Sequence, residues 1–380
     1  MRLLILLSLF IVACGDNAPD EKFDRPTLVA VDSTNDRLFV LEKEGVLSIL
    51  TASDREEIGD QPFVDKDHEE TIHDLLPSSP IHLDVVASGS TSRLFITGSE
   101  QDSDGNAVFN QILALDFDGT TLSAASFSPI AFSDGDDATT ESDNMPGGLL
   151  ADSDNDRLYV TDATGGRLYI FSTETGAEAA ASLAIAGNPN RMGLADGRLY
   201  VANATDTDAD QVVTVVNTTD FSTTTIDLDA ATDGIAAASN ASGTVILARQ
   251  ANGRGVLIRT VDTTTFASVS AVPVSDSSAE SGQLTSGAGI SSLAGDVLLA
   301  ESDGVLFGYA PQTDGKITRI DFAADLSSFT AETLSTATKI LAGGDLYSSG
   351  GDDITLFMAA RGTGDLVFTD IGSEEVGATF

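Results

Sequence analysis

The sequence predicts an all-β protein, a β-propeller of seven blades with four antiparallel strands each, six blades being the alternative count. Three observations predict it. A pair of short apolar segments joined by a turn recurs seven times between residues 28 and 360, with copies about 40–65 residues apart, the spacing of four-stranded blades and their connections. The second segment of each pair is apolar at nearly every position, where a strand with one wet face would alternate. No long stretch beyond the first residues carries the 3.6-residue period of an amphipathic helix, which removes helical solenoids.

The chain opens MRLLILLSLFIVACGDN, with Arg2 ahead of an apolar run from Leu3 to Ala13. That run is too short to span a bilayer and reads as a signal peptide over residues 1–13. Its end, Ile11-Val12-Ala13-Cys14, resembles the lipobox of bacterial lipoproteins, which implies cleavage before Cys14 and acylation of that residue. Cys14 is the only cysteine, so no disulfide forms within one chain. Several acyl chains anchor firmly, since each buried methylene contributes about 0.8 kcal/mol. Gly15 follows the cysteine, which resembles lipoproteins sent to the outer membrane. Residues 14–26 then form a polar tether to a propeller domain over 27–380.

The copies are LVAVDSTNDRLFVL (28–41), LDVVASGSTSRLFIT (83–97), LLADSDNDRLYVT (149–161), MGLADGRLYVA (192–202), IAAASNASGTVILA (235–248), ISSLAGDVLLA (290–300) and a looser ILAGGDLYSSGGDDITLFMAA (340–360). LFVL, LFIT, LYVT and their counterparts are buried on both faces, as the middle strands of a blade between two other blades must be. A third strand follows a glycine turn in GVLSIL (45–50), GRLYIF (166–171), GVLIRTV (255–261) and GDLVFTDI (364–371). The irregular start of the seventh copy leaves the six-blade count open.

DSDNDRLYV (152–160) places three carboxylates at alternate positions, as a calcium loop would. Its counterparts DSTNDR, SGSTSR, DGR and SNASGT keep a turn and lose the ligands. Arg157 stands sixth, where an EF-hand loop needs glycine, and Ala163 twelfth, where it needs a bidentate Glu. Asp102, Asp104 and Asn106 fail in the same way, as do Asp206, Asp208 and Asp210, with Leu113 and Asn217 in twelfth place. All three stretches read as turns, in which Asp and Asn bond their own backbone.

The copies, above all DSDNDRLYVTDATGGRLYIFSTETG (152–176), resemble the YVTN-type repeats of bacterial seven-bladed propellers. That resemblance implies the architecture and leaves activity open, because such propellers serve as lactonases, binding scaffolds and envelope proteins alike.

Acidic residues number 59 against 19 Lys and Arg, a formal charge of −40. Such a chain repels nucleic acid and anionic headgroups, so a nucleic-acid role is excluded. The charge suits a protein kept soluble in salty surroundings.

All three histidines, His68, His73 and His82, fall within one connection rich in Asp and Glu. His with carboxylates suits a divalent metal, zinc in particular, although HEETIH departs by one residue from HExxH. The competing reading is a solvated acidic loop. A second acidic insertion, 128–148, carries Asp134, Asp136, Asp137, Glu141 and Asp143. With histidine confined to 68–82 and no GxSxG elbow, classical serine hydrolysis is not expected; neither is nucleotide binding through a glycine-rich loop.

Two functions remain. One is a monomeric, lipid-anchored module of the cell envelope that binds a protein or glycan through the loop face of the propeller. The other is a metal-assisted hydrolase of the lactonase or gluconolactonase kind, using a divalent ion (Zn or Ca) in the central channel, with Asn190, Asp233 and the histidines as the nameable pocket residues.

Overall fold

The computed structural model describes the chain from Pro26 to Thr379 apart from residues 43–44, 66, 68–69, 78, 102–106, 109–110, 132–145, 206–211, 229, 252–254, 261–269, 274–295, 313–314, 336–340, 349–353, 361–364 and 371–376. Cys14 and the leader, His68, Asp102, Asp104, Asn106, Asp206, Asp208, Asp210 and the carboxylates of the second acidic insertion lie outside the described residues.

The described strands form seven antiparallel sheets, each built from a continuous stretch of chain. They are numbered here as blades 1 to 7. The sixth copy shifts by one strand: its VLLA segment (297–300), expected in a middle strand, leads into the innermost strand Leu298–Ser302, and Val305–Pro311 is the middle strand beside it. The innermost strands are Pro26–Asp32, Ser79–Ser88, Pro146–Asp152, Pro189–Ala195, Thr232–Asn240, Leu298–Ser302 and Leu341–Ser348. The count is therefore seven. The structure regularises the seventh copy by pairing Leu346 with Leu356 and Tyr347 with Thr355.

Burial explains the apolar runs. Leu158 and Val160 of the second strand of blade 3 pack with Phe95 and Ile112 of blade 2, while Tyr159 between them packs with Leu199 and Val201 of blade 4. Alternate residues thus face opposite neighbours, and neither face meets water. The core is divided into seven apolar clusters, each at one contact between adjacent blades. One of them joins Val29, Val31 and Val40 of blade 1 to Tyr347, Phe357 and Leu366 of blade 7 and closes the ring.

The DSDNDR stretch is a turn in this structure. Asp152 Oδ1 accepts from the backbone N–H groups of Asp154 (3.1 Å) and Asn155 (3.2 Å), and its Oδ2 accepts from Asn155 Nδ2 (2.8 Å). Asp32 makes the same three bonds to Thr34 and Asn35 in blade 1. Asp156 and Asp36 hold the left-handed conformation (φ 51° and 55°) that closes each turn. Their carboxylates then tie the next turn of the same blade: Asp156 accepts from Ser172, Thr173 and the Glu174 N–H, and Asp36 from Ser53.

The arginine that follows has a separate task. Arg37 donates to Ser92 Oγ, Phe117 O and Ser90 O of blade 2, and Arg93 donates to Thr173 O of blade 3 at 2.9 Å. In both cases the repeat's arginine satisfies carbonyls of the following blade. Blade 1 departs at its outer edge, where isolated bridges to Glu57 and Val64 flank its third strand. Between them the Gln61 amide stands in for a backbone, accepting from Ile49 N (3.0 Å) and donating to Ile49 O (2.9 Å).

Leu158 is fully buried. Replacing it with Ala should lower unfolding stability by about 2–5 kcal/mol, as deletions in packed cores do, which urea titration would measure. Asp152→Ala should cost about 1–2 kcal/mol by removing a turn acceptor. Asp154→Asn, which touches only an exposed corner of that turn, should leave the midpoint unchanged, with or without calcium.

Candidate functional site in the central channel

Each innermost strand has one unpaired edge, and the seven edges line the axis of the ring. Backbone groups on such edges need partners, and acidic side chains provide two of them. Asp84 Oδ2 accepts from Ala151 N of blade 3 at 2.7 Å, and Asp345 Oδ2 accepts from Val31 N of blade 1 at 2.7 Å. Each second oxygen accepts from the next N–H of its own strand, Val85 and Leu346, at 2.8 Å.

The two aspartates are equivalent. Asp84 lies opposite Phe95 and Asp345 opposite Phe357, and each reaches the residue one step further along the following blade's inner strand. The other blades place Ala30, Leu150, Gly193, Ala237 and Ala300 at this level. Glycine is required at one of them: a Cβ on Gly193 would lie 2.8 Å from the backbone N of Ala237 in the neighbouring strand.

Between these strands is a cavity of about 250 Å³ to which all seven inner strands contribute, with Asp84, Asp345, Asp296 and Arg191 among its lining residues. Burial pushes the Asp84 carboxyl up to about 6 against the pull of its two N–H donors. Burial also pushes Asp345 up to about 7, and the nearby charges of Asp84 and Asp296 add to the rise. Both side chains line this cavity and are part-buried, which weakens the hydration of their charge.

Arg191 crosses toward the mouth of the channel. Its Nη2 meets Asp296 of blade 6 at 3.1 Å, and its Nη1 lies 2.6 Å from His82 Nδ1 of blade 2. A guanidinium only donates, so Nδ1 is the acceptor in this contact. Blades 2, 4 and 6 are thereby joined across the channel. His82 lies opposite Thr97, two residues before Asp84, so this bridge sits above the level of the two carboxylates.

The histidines named from the sequence do not come together among the described residues. His82 is 3% exposed on an inner strand, whereas His73 ends a four-residue helix, Glu70–His73, in the connection between blades 1 and 2 and lies beside Gly45 and Asp74. Among the described residues no group of three or more His, Cys, Asp or Glu side chains is arranged to hold a metal ion.

Asn190 and Asp233 are on inner strands but do not line the cavity. The Asn190 carbonyl accepts from Thr161 Oγ1 at 2.9 Å, and its strand presses on blade 3 so closely that a Cβ on Gly148 would lie 2.7 Å from that same oxygen. Asp233 pairs with Arg249 of its own blade at 2.8 Å. Their neighbours Arg191 and Ile235 are the ones that reach the cavity.

No family model matches this chain, and no curated protein sequence matches it. Solved structures do. The one titled "Structure of U3-55K" superposes with a TM-score of 0.52 at 11% identity over 88% of each chain. At that identity the likeness establishes the propeller fold and nothing about activity.

The raised carboxyls give a pH dependence of definite sign. From about pH 4 to about pH 7 the folded chain holds protons at Asp84 and Asp345 that the unfolded chain has released, so these groups favour folding at the acid end and cost stability as pH rises. The urea midpoint should fall between about pH 5.5 and about pH 8, and Asp345→Asn should flatten that slope. An equal slope in both proteins would show that Asp345 ionises normally.

Proposed function

We propose that this chain is a lipid-anchored propeller of the bacterial cell envelope that acts as a binding or scaffold module. A protein or glycan partner meets the face of the ring that carries the inter-blade connections. One observation carries this reading: the two faces are built differently. On one face, chain reversals such as 33–36, 153–156, 196–197 and 303–304 are tight turns between the first and second strands. On the opposite face, beside the Gly45 turn, lie the helix Glu70–His73 and Leu76 of the connection that carries the chain from blade 1 to blade 2. Variable loops displayed on a rigid ring are the usual place for recognition.

The resemblance of residues 11–14 to a lipobox supports the anchor, and the R-L-Y-V repeats support kinship with YVTN-type envelope propellers. A metal-assisted lactone hydrolase would need channel carboxylates available to hold an ion. Here backbone N–H groups already take up about half of the acceptor positions of Asp84 and Asp345, and Asp296 meets Arg191, which leaves fewer close oxygens than the six or more a divalent ion such as calcium takes and favours the binding module.

Two measurements test the proposal. Cys14→Ser should move the protein from the membrane fraction to the soluble one, with loss of acyl mass from the wild type. A photo-crosslinking residue at Leu75, an exposed apolar side chain in the connection between blades 1 and 2, should trap a partner in intact cells, while the same residue at Asp154 on the tight-turn face should not. Crosslinks at Asp154 alone, or lactone turnover that depends on added metal, would overturn the reading.

A further inference from the structure

The channel cavity has a chemistry of its own that the loop-face proposal does not use. One part of its wall is apolar, from Leu149, Leu150, Met192, Ile235 and Leu298; another carries Asp84 and Asp345. An ionised carboxylate has about four acceptor positions. Backbone N–H groups occupy one on each oxygen of both residues, so each retains lone pairs while already held in place. Arg191, the cation of the cavity, is matched by Asp296 at 3.1 Å and leaves the other two carboxylates without a neutralising partner in the lining.

We propose that this cavity binds a small organic cation, a primary ammonium on a short aliphatic body, with the ammonium donating to Asp84 and Asp345 and the aliphatic part lying against the apolar wall. Three features select that chemistry. The cavity of about 250 Å³ holds roughly eight water-sized groups at about 30 Å³ each, which suits a single short chain. None of its lining residues is aromatic, and a quaternary ammonium prefers aromatic faces. A compact divalent ion needs six or more close oxygen ligands, whereas both carboxylates have fixed orientations set by the strands beside them.

The pair's reluctance to ionise gives the binding a signature. An ammonium favours both carboxylates in their charged form, so its arrival releases protons near neutral pH and its affinity falls as pH drops. The charged or titratable groups around the pair are Asp296, Arg191 and His82. Arg191 faces both of the others, with Asp296 at 3.1 Å and His82 Nδ1 at 2.6 Å.

The test is calorimetric titration of the soluble Cys14→Ser chain with n-butylammonium, tetramethylammonium, calcium and acetate. It is run in about 0.5 M salt so that the surface charge is screened, and in two buffers of different ionisation heat. Saturable one-to-one binding of butylammonium is expected, with proton release near pH 7 and about tenfold or greater weakening at about pH 5. Asp84→Asn and Asp345→Asn should each weaken it at least tenfold, while Asp154→Asn leaves it unchanged. If either channel variant does not fold, carboxyl carbon NMR of the wild type gives the readout, and butylammonium should lower the titration midpoints of both aspartates. No saturable heat, unchanged binding in folded Asp345→Asn, or preference for calcium, tetramethylammonium or acetate would each overturn the proposal. Crosslinking at Leu75 does not depend on any of these results, so the two readings stand or fall separately.

Discussion

Everything in this molecule depends on the contact between one blade and the next. A four-stranded sheet alone cannot hide the second strand on both sides, and the sequence makes that strand apolar on both. Leu158, Tyr159 and Val160 need two neighbours at once. A blade is therefore stable only when flanked, which makes a closed ring the arrangement that leaves no blade with a bare face. Two arginines of the R-L-F/Y segments, Arg37 and Arg93, strengthen the same contacts by reaching carbonyls of the following blade, whereas Arg157 donates to Asp156 O within its own turn.

The ring geometry then creates the channel and its chemistry. Seven inner edges directed at one axis bring unpaired backbone groups together where water is scarce. Asp84 and Asp345 satisfy two of these N–H groups, Thr161 satisfies a carbonyl, and Gly193 lets two strands approach without a side chain between them. Burying carboxylates for this purpose raises their proton affinity. The unusual acids of the channel are thus a product of closing the sheet edges as much as a candidate site.

Much of the fold was legible because burial on both faces leaves a local trace in most copies; in the sixth, VLLA belongs to the inner strand Leu298–Ser302 and the doubly flanked strand is Val305–Pro311. LFVL, LYVT and LFMA announce it without reference to distant residues, and the Asx turns announce themselves through DSTNDR and DSDNDR. The site was harder, because its members are contributed by different blades and have no common spacing. Asn190 and Asp233 are polar residues near the start of inner strands, but the cavity is lined from one residue further along in blade 4, at Arg191, and from two residues further along in blade 5, at Ile235 beyond the register shift at 232–234. Aligning the seven inner strands exposes the missed signal: Asp84 and Asp345 occupy a level where the other copies carry Ala, Leu or Gly. Three inner strands also open with a proline, Pro26, Pro146 or Pro189, and a fourth carries Pro80 as its second residue, each where the ladder slips register. Proline lacks the N–H that a ladder would demand at that point.

Each described sheet is drawn from one unbroken stretch of chain, from Pro26–Asp32 through to Gly377–Thr379. No strand of blade 1 is lent to blade 7. The join between them is made by the cluster around Val29 and Phe357 and by the bond from Val31 to Asp345, which spans 314 positions of sequence. Among the described residues the circle is consequently a chain of beads clasped by side chains, with a seam that no backbone ladder crosses. A force that opens the circle at this place therefore works against side-chain contacts and the Val31–Asp345 bond, with no ladder of backbone bonds between the described strands to share the load.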